Sequence, residues 1–293
     1  MALEYDLLDV FTAIPFFGNP LAIFSLPEDP KPITDIQKQS IAREFNLSET
    51  AFLHPSSNNI FTVDIFDPDS ELPFAGHPTI GVGWHLLHAF PERQTIMLRT
   101  KAGDIPVHKD RHEQVRLQIP VDYKFHGLYH DANIRASKRL RPEDFVVSDR
   151  EADPVASIVR GMSFLLVQLT SEEALARFVP FSEKFSVGKE FLGEWEGYTG
   201  LYLYVVLADG TVRTRMFDGL VEDPATGSAA STLAVYLAEK KGEGVWRSAF
   251  VQGVEMGRRS DISVSVEIGH EKRVVGVELA GEAVRVMTGR LFI

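Results

Sequence analysis

The 293-residue sequence contains no cysteine, which excludes disulfide bonds, thiolate nucleophiles and thiolate metal ligands. It has no lysine- or arginine-rich block, and its formal net charge is −11. Such a chain is repelled by a nucleic-acid backbone and by an anionic membrane surface. No apolar run reaches membrane-spanning length, and the N-terminal MALEYDLLDVF does not have the pattern of a secretory signal. We therefore expect a cytoplasmic protein with neither nucleic acid nor membrane as partner.

Several motifs of common enzyme classes are also missing. The sequence has no P-loop, no dinucleotide-binding fingerprint after a strand and no nucleophile elbow. Three pairs of histidines stand three or four residues apart, but none has a third metal ligand nearby, so we expect surface or packing roles: His85/His88, His108/His112 and His126/His130. Proton transfer by carboxylates, histidine and serine remains, and it needs neither cofactor nor metal.

An internal repeat is present. The stretch IFDPDSELPFAGH, residues 65–77, aligns without gaps to MFDGLVEDPATGS, residues 216–228. The offset is constant, since 222 − 71 and 227 − 76 both give 151, about half the chain. Five positions are identical: Phe66/Phe217, Asp67/Asp218, Glu71/Glu222, Pro73/Pro224 and Gly76/Gly227. Each copy runs into an apolar, helix-like segment, so the pattern predicts that both halves share one architecture.

The remaining pattern indicates the α+β class. Short strand-like runs dominate, and each half has one long helix after its proline–glycine corner. A shorter helix is predicted from Thr34 to Phe45, with Thr34 and Gln37 spaced as a capping box. We expect a curved, mixed or antiparallel sheet wrapped around the central helix of each half, and no doubly wound nucleotide-binding sheet. The charged segment Val121 to Asp153 is expected to be a less regular connection.

Each corner has the features of an anion site. A helix start presents free N–H groups and the positive end of its dipole, and Gly76 or Gly227 lets a ligand approach. His77 and Ser228, at or near the N-caps, would add side-chain hydrogen bonds. Ser228 could equally be a plain N-cap, and Asp223 could be a turn residue.

These residues resemble the phenazine-biosynthesis PhzF-like family, which has the diaminopimelate-epimerase-like fold. The resemblance rests on five segments in this order: DVFTAIPFFGNPLAIF, IAREFNLSETAFL, ELPFAGHPTIG, EDPATGSAA and VQGVEMGRRSDISVSV. It implies two pseudo-symmetric domains with the active site between them. We place the first at residues 1–120 with a last strand at about 281–293, and the second at 121–280. The resemblance also implies a homodimer.

The resemblance assigns roles to six residues. The acid of LSET, Glu49, matches the proton-shuttling base, although from the residues alone it could be an ordinary acid before a strand. His77 and Asp223 match residues that contact polar groups of the substrate. Gly76, Gly227 and Ser228 match the positions that bind its carboxylate. Related epimerases of this fold use two thiols, which this cysteine-free chain cannot supply.

One position departs from the repeat, because Gly219 stands where the first copy has Pro68. The departure leaves the corner itself intact and bears on the shape of the local pocket.

The expected activity is a cofactor-free isomerisation of a small unsaturated cyclic carboxylate bearing amino or hydroxyl groups. Glu49 would move the proton, and we expect its carboxyl to be shielded from water with a raised pKa. Two alternatives stay open, namely a non-catalytic protein that binds small carboxylates and a one-base amino-acid racemase or epimerase.

Overall fold

The structure is a computed structural model that describes residues 2–28, 33–56, 59–135, 139–146, 152–181 and 185–293. It divides into two compact units, Met1–Ile119 with Glu278–Ile293 and Pro120–Val277. Parts of the segment predicted to be irregular, residues 136–138 and 147–151, lie outside the described residues.

The first unit contains strands β1 to β8, helices α1 and α2, and the last strand. Its strands are β1 Ala2–Val10, β2 Asn19–Ser25, β3 Thr50–Leu53, β4 Ile60–Phe66, β5 Glu71–Leu72, β6 Thr95–Thr100, β7 Gly103–Lys109, β8 Val115–Gln118 and the late β18 Ala283–Phe292. Its helices are α1 Asp35–Phe45 and α2 Gly76–Ala89. The predicted capping box of α1 is present, because Thr34 accepts from the Gln37 N–H while the Gln37 side chain accepts from the Thr34 N–H.

The second unit contains the remaining elements. Its strands are β9 Lys124–Tyr129, β10 Asp153–Val159, β11 Met162–Gln168, β12 Tyr198–Val206, β13 Val212–Asp218, β14 Val221–Asp223, β15 Gly244–Gln252, β16 Ser260–Ile268 and β17 Val274–Gly281, whose last residues return to the first unit. Its helices are α3 Ala132–Arg135, α4 Glu172–Arg177, α5 Lys189–Leu192 and α6 Gly227–Lys241. Strand β9 lies inside the segment expected to be irregular, and it pairs antiparallel with β10.

The two units repeat one pattern of strand pairing. In each, helical residues lie between the two strands of a parallel pair, α1 between β2 and β3 and both α4 and α5 between β11 and β12. In each, the first strand of the hairpin that precedes the corner also pairs in parallel with the strand after the long helix, β4 with β6 and β13 with β15. Even the register agrees, because Phe66 pairs with Glu71 and Phe217 with Glu222. The repeat that was inferred from the sequence is therefore a structural repeat, and the α+β class is confirmed.

Helix α2 is a central helix within its own unit. A methyl group at Gly81 would stand 2.4 Å from a Leu21 side-chain carbon on β2, and one at Gly83 would stand 2.7 Å from Val107 on β7. The two glycines thus let strands approach the helix backbone from two sides. In α6 the close packing comes from small buried residues instead, including Ala229, Ala230 and Ala234. The long helix of each unit is therefore rigidly held, and its first residues have defined positions.

Candidate active site

The first corner ends in an uncapped helix start. The N-cap of α2 is Ala75, no side chain caps the helix, and the first intrahelical bond runs from the Thr79 N–H to the Ala75 carbonyl. Pro78 contributes no N–H, so the amides of Gly76 and His77 form the positive end of the helix. His77 is thus the second residue of the helix and not its cap, because extended Ala75 takes that place.

Glu49 stands just before the first residue of β3. Helix α1 stops at Phe45, Asn46 takes a left-handed conformation with φ 49°, and β3 begins at Thr50. Because Thr50 pairs with Ala22 of the neighbouring parallel strand, the position of Glu49 is fixed by the sheet. The exposed fractions of the side chains are 21% for Glu49 and 3% for His77.

The structure brings Glu49 and His77 together. Oε2 of Glu49 lies 2.7 Å from Nδ1 of His77. An ionised carboxylate can only accept, so the imidazole donates its Nδ1 proton. The other ring nitrogen, Nε2, is buried and has no hydrogen-bond partner among the described residues. A buried polar atom without a partner is costly, so Nε2 of His77 is a candidate to contact a ligand.

The pKa of Glu49 is lowered in the structure, whereas the sequence analysis expected a raised value. Burial alone would raise the pKa, as the sequence analysis assumed. The positive charge and hydrogen bond of His77, together with a hydrogen bond from Ser48, outweigh burial and hold the pKa of Glu49 below its ordinary value. The expectation of a raised pKa is wrong because it considered water exclusion without the neighbouring cation. The lowered pKa therefore favours the ionised form of the Glu49 carboxyl.

The second corner is built around Asp223. Its carboxylate accepts from the Thr226 hydroxyl at 2.5 Å and from the Ala225 N–H at 3.4 Å. Thr226, and not Ser228, is the N-cap of α6, and Ser228 is the second helical residue. Asp223 therefore holds the turn that leads into the helix, which is the structural role weighed for it from the sequence. Asp223, Gly227 and Ser228 come together within the second unit, as Glu49, Gly76 and His77 do within the first.

Glu71 and Glu222, the glutamates conserved between the two copies of the repeat, are not free acids. Glu222 accepts two hydrogen bonds from the buried Arg215, at 2.7 and 2.8 Å, and Glu71 is paired with Lys101. The two glutamates thus neutralise cations beside each hairpin, which gives a structural reason for their recurrence.

The histidine pairs have partners that support packing roles. His85 lies 3.2 Å from an Asp6 oxygen, His88 bonds the Trp84 carbonyl, and His126 bonds Ser157. Within the described residues, no three side chains of histidine, aspartate or glutamate cluster as metal ligands would. None of the helices that the structure describes has the length and apolar character needed to cross a membrane.

Comparison with known proteins places the chain in a family. The family model for phenazine biosynthesis-like proteins, PhzC–PhzF, matches residues 8–289. An uncharacterized isomerase of Pasteurella multocida is 33% identical over 99% of this chain and 94% of its own length. Trans-2,3-dihydro-3-hydroxyanthranilate isomerase of Pseudomonas aeruginosa is 30% identical, with 99% of both chains covered.

The fold is also shared with a solved structure. The PhzF-family phenazine biosynthesis protein of Bacillus anthracis superposes with a TM-score of 0.82 at 22% identity, and the match covers 100% of both chains. The resemblance that was drawn from the five sequence segments is confirmed. The chain belongs to the PhzC–PhzF family of phenazine biosynthesis-like proteins, and it is an isomerase.

Proposed function

We propose that this isomerase moves a proton within a small unsaturated cyclic carboxylate that carries an amino or hydroxyl group, with Glu49 as the acid/base and without a cofactor. The observation that carries the proposal is the contact of Glu49 with His77 at an uncapped helix start. A relative that is 30% identical is named for its action on trans-2,3-dihydro-3-hydroxyanthranilate, which belongs to this class of compound.

The proposed reaction is an isomerisation in which one proton and one double bond change position. The Glu49 carboxylate removes a proton from a carbon made acidic by neighbouring unsaturation, and the electron pair of that C–H bond moves into the conjugated system. The same carboxyl then returns the proton to another carbon, which gives a 1,3- or 1,5-shift with no net change in composition. Because His77 lowers the pKa of Glu49, the protonated carboxyl gives its proton back readily.

The other proposed residues bind and orient the substrate. His77 offers its buried Nε2 to a polar group of the substrate. The starts of α2 and α6, at Gly76 and at Gly227 with Ser228, would hold the carboxylate of the substrate. Asp223 would orient an amino or hydroxyl group.

Solvent deuterium incorporation tests the proposal. The protein is incubated in D₂O with trans-2,3-dihydro-3-hydroxyanthranilate, and the recovered compound is examined by NMR and mass spectrometry. We expect a shifted double bond, with deuterium at the new C–H position to the extent that the protonated Glu49 carboxyl, 21% exposed, exchanges with solvent before it returns the proton. A protein that only binds carboxylates would give neither a shifted double bond nor deuterium incorporation. If Glu49→Gln shifted the double bond as fast as wild type, Glu49 would not be the acid/base.

A one-base racemase is separated by the same experiment with amino acids as substrate. In that case optical activity would be lost while the bonding pattern stayed unchanged.

The cytoplasmic location and the homodimer are further parts of the proposal. Sedimentation equilibrium of the purified chain tests the dimer, and fractionation of cells that express it tests the location.

A further inference from the structure

The side chain of Gln252 lies behind the second corner and is completely buried. It is the last residue of β15, where it pairs with Thr214 of the parallel β13 and with Ser260 of β16. A buried glutamine has two N–H donors and two acceptor lone pairs, and each unmet group costs stability.

Every hydrogen-bonding position of this amide is used. Its Nε2 donates to the Asp223 carbonyl at 2.8 Å and to the Thr226 hydroxyl at 3.0 Å. Its Oε1 accepts from the hydroxyls of Tyr202 at 3.3 Å and Thr214 at 3.4 Å. An amide turned by 180° would place its oxygen against the Asp223 carbonyl, an acceptor against an acceptor, so the orientation of Gln252 is fixed.

The bonds form a directed chain that ends at Asp223. Gln252 donates to Thr226, and Thr226 has its own proton left to donate to the Asp223 carboxylate. The second bond of Gln252 fixes the main-chain carbonyl of the same aspartate. One side chain therefore holds both the backbone and, through Thr226, the carboxylate of Asp223.

Among the residues that the structure describes, no comparable arrangement is found at the first corner. Its N-cap is Ala75, which has no polar side chain, and its ionisable pair is Glu49 with His77. The network at the second corner, apart from Asp223 itself, consists of groups that stay neutral. Burial raises the pKa of Tyr202. A hydrogen bond with Thr214 opposes this rise and the charge of Asp223 adds to it.

We propose that Gln252 is a positioning residue for substrate binding, which aligns Asp223 and the first turn of α6 without taking part in proton transfer. This inference rests on the proposed function of the second corner. It predicts a change in substrate affinity with little change in the chemical step, and no change in the pH dependence.

The variant Gln252→Met keeps the shape of the side chain and removes its four hydrogen bonds. The matched control is Gln168→Met, because Gln168 accepts a bond from the Tyr204 hydroxyl at 3.2 Å elsewhere in the same unit. Two further variants test the chain itself, since Thr226→Ser keeps the hydroxyl and Thr226→Val removes it.

Two constants are measured. One is the Kd of 3-hydroxyanthranilate, a stable aromatic analogue of the compound in the relative's name, and the other is the KM for trans-2,3-dihydro-3-hydroxyanthranilate. For Gln252→Met and Thr226→Val we expect both to rise about tenfold, the scale of one or two lost hydrogen bonds. The value of kcat should change less than about threefold. Gln168→Met and Thr226→Ser should remain near wild type. A lower Tm of Gln252→Met with unchanged Kd and KM would show a merely structural role and overturn the inference.

Failure of the proposed function gives a different result, because the wild-type protein would then bind neither compound. Hydrogen exchange then tests the part of the inference that needs no ligand, namely that Gln252 holds the first turn of α6. Gln252→Met should speed exchange in a peptide covering residues 224–231 and leave residues 76–84 unchanged. Equal exchange in both proteins would overturn it.

Discussion

Oε2 of Glu49 lies 2.7 Å from Nδ1 of His77, although 28 residues separate the two along the chain. One side chain comes from the residue before a parallel strand and the other from the second residue of a buried helix. The pair joins a carboxylate to a potential cation whose second nitrogen is buried without a partner among the described residues. This arrangement allows the proton chemistry to be tested one group at a time.

The first prediction concerns the base itself. Glu49→Gln keeps the size of the side chain and removes the proton acceptor, so we expect turnover of trans-2,3-dihydro-3-hydroxyanthranilate to fall by about 10³-fold or more. The Kd of 3-hydroxyanthranilate, measured by calorimetry, should change little, because the helix starts remain. The control is Glu44→Gln, at an exposed position on α1. Turnover retained by Glu49→Gln would remove Glu49 from the mechanism.

The second prediction concerns the pH dependence. His77 holds the pKa of Glu49 down against burial. In His77→Gln the effect of burial is no longer opposed by a cation, so the pKa of Glu49 should rise. Because the base is active when ionised, the acid limb of the kcat/KM profile should move to higher pH. His112→Gln, at an exposed histidine, should leave the profile in place. If the acid limb of the kcat/KM profile had the same position in His77→Gln as in wild type, the contact with His77 would not lower the pKa of Glu49.

Local signals in the sequence predicted the elements they specify. The capping box of Thr34 and Gln37 fixes the start of α1, and the repeated corners fix the starts of α2 and α6. These features depend on residues within a few positions of one another, so a single sequence contains them. Strand β9 was missed because most of its side chains are exposed or half-buried, and an edge of this kind has no apolar alternation to detect.

The site was less predictable than the fold. Nothing in the spacing of Glu49 and His77 indicates their contact, because it arises from sheet pairing that brings distant segments together. The resemblance to a family pointed to Glu49, and the residues alone did not. Gln252 was also missed, since a polar residue at a strand end is an ordinary feature and its four partners come from three separate segments.

The third prediction concerns a buried ion pair in the first unit. Lys38 is 5% exposed, and its ammonium bonds the Asp64 carboxylate, which also bonds His54 at 2.6 Å. Burial would raise the pKa of Asp64, but the hydrogen bonds and charges of His54 and Lys38 hold it below the ordinary value. Asp64→Asn would leave the Lys38 charge without its main partner, so we expect a loss of about 3 kcal/mol in the free energy of unfolding at neutral pH.

The sign of the pH effect follows from the lowered pKa. Asp64 contributes stability above the carboxyl pKa of the unfolded chain, and that contribution is lost as pH falls through the lower pKa of the folded protein. The difference between the free energies of unfolding of wild type and Asp64→Asn, measured in urea, should therefore become smaller in acid. Asp104→Asn, which removes the exposed partner of Arg99, is the control and should change stability little. A difference in the free energy of unfolding between wild type and Asp64→Asn that did not change with pH would contradict this account.

The last prediction concerns the turn at which the two copies of the repeat differ, with Gly219 in the second copy and Pro68 in the first. Gly219 has a φ of 62°, and with Leu220 it forms the two-residue connection between the paired residues Asp218 and Val221. Proline fixes φ near −65° and cannot adopt this conformation. The equivalent turn of the first unit, closed by the bond from the Asp67 N–H to the Ser70 carbonyl, has Pro68 in the same place. The two corners thus share a register but reach it through turns of different backbone geometry.

The variant Gly219→Pro should therefore lower the free energy of unfolding by about 3 kcal/mol, measured in urea. It should also weaken the binding of 3-hydroxyanthranilate, because β14 leads directly to Asp223. The reciprocal change Pro68→Gly should cost less than about 1 kcal/mol, since glycine can adopt the proline conformation and only the entropy of the unfolded chain increases. If Gly219→Pro were as stable as wild type, the turn would tolerate both conformations, and the exchange of glycine for proline would have no structural cause.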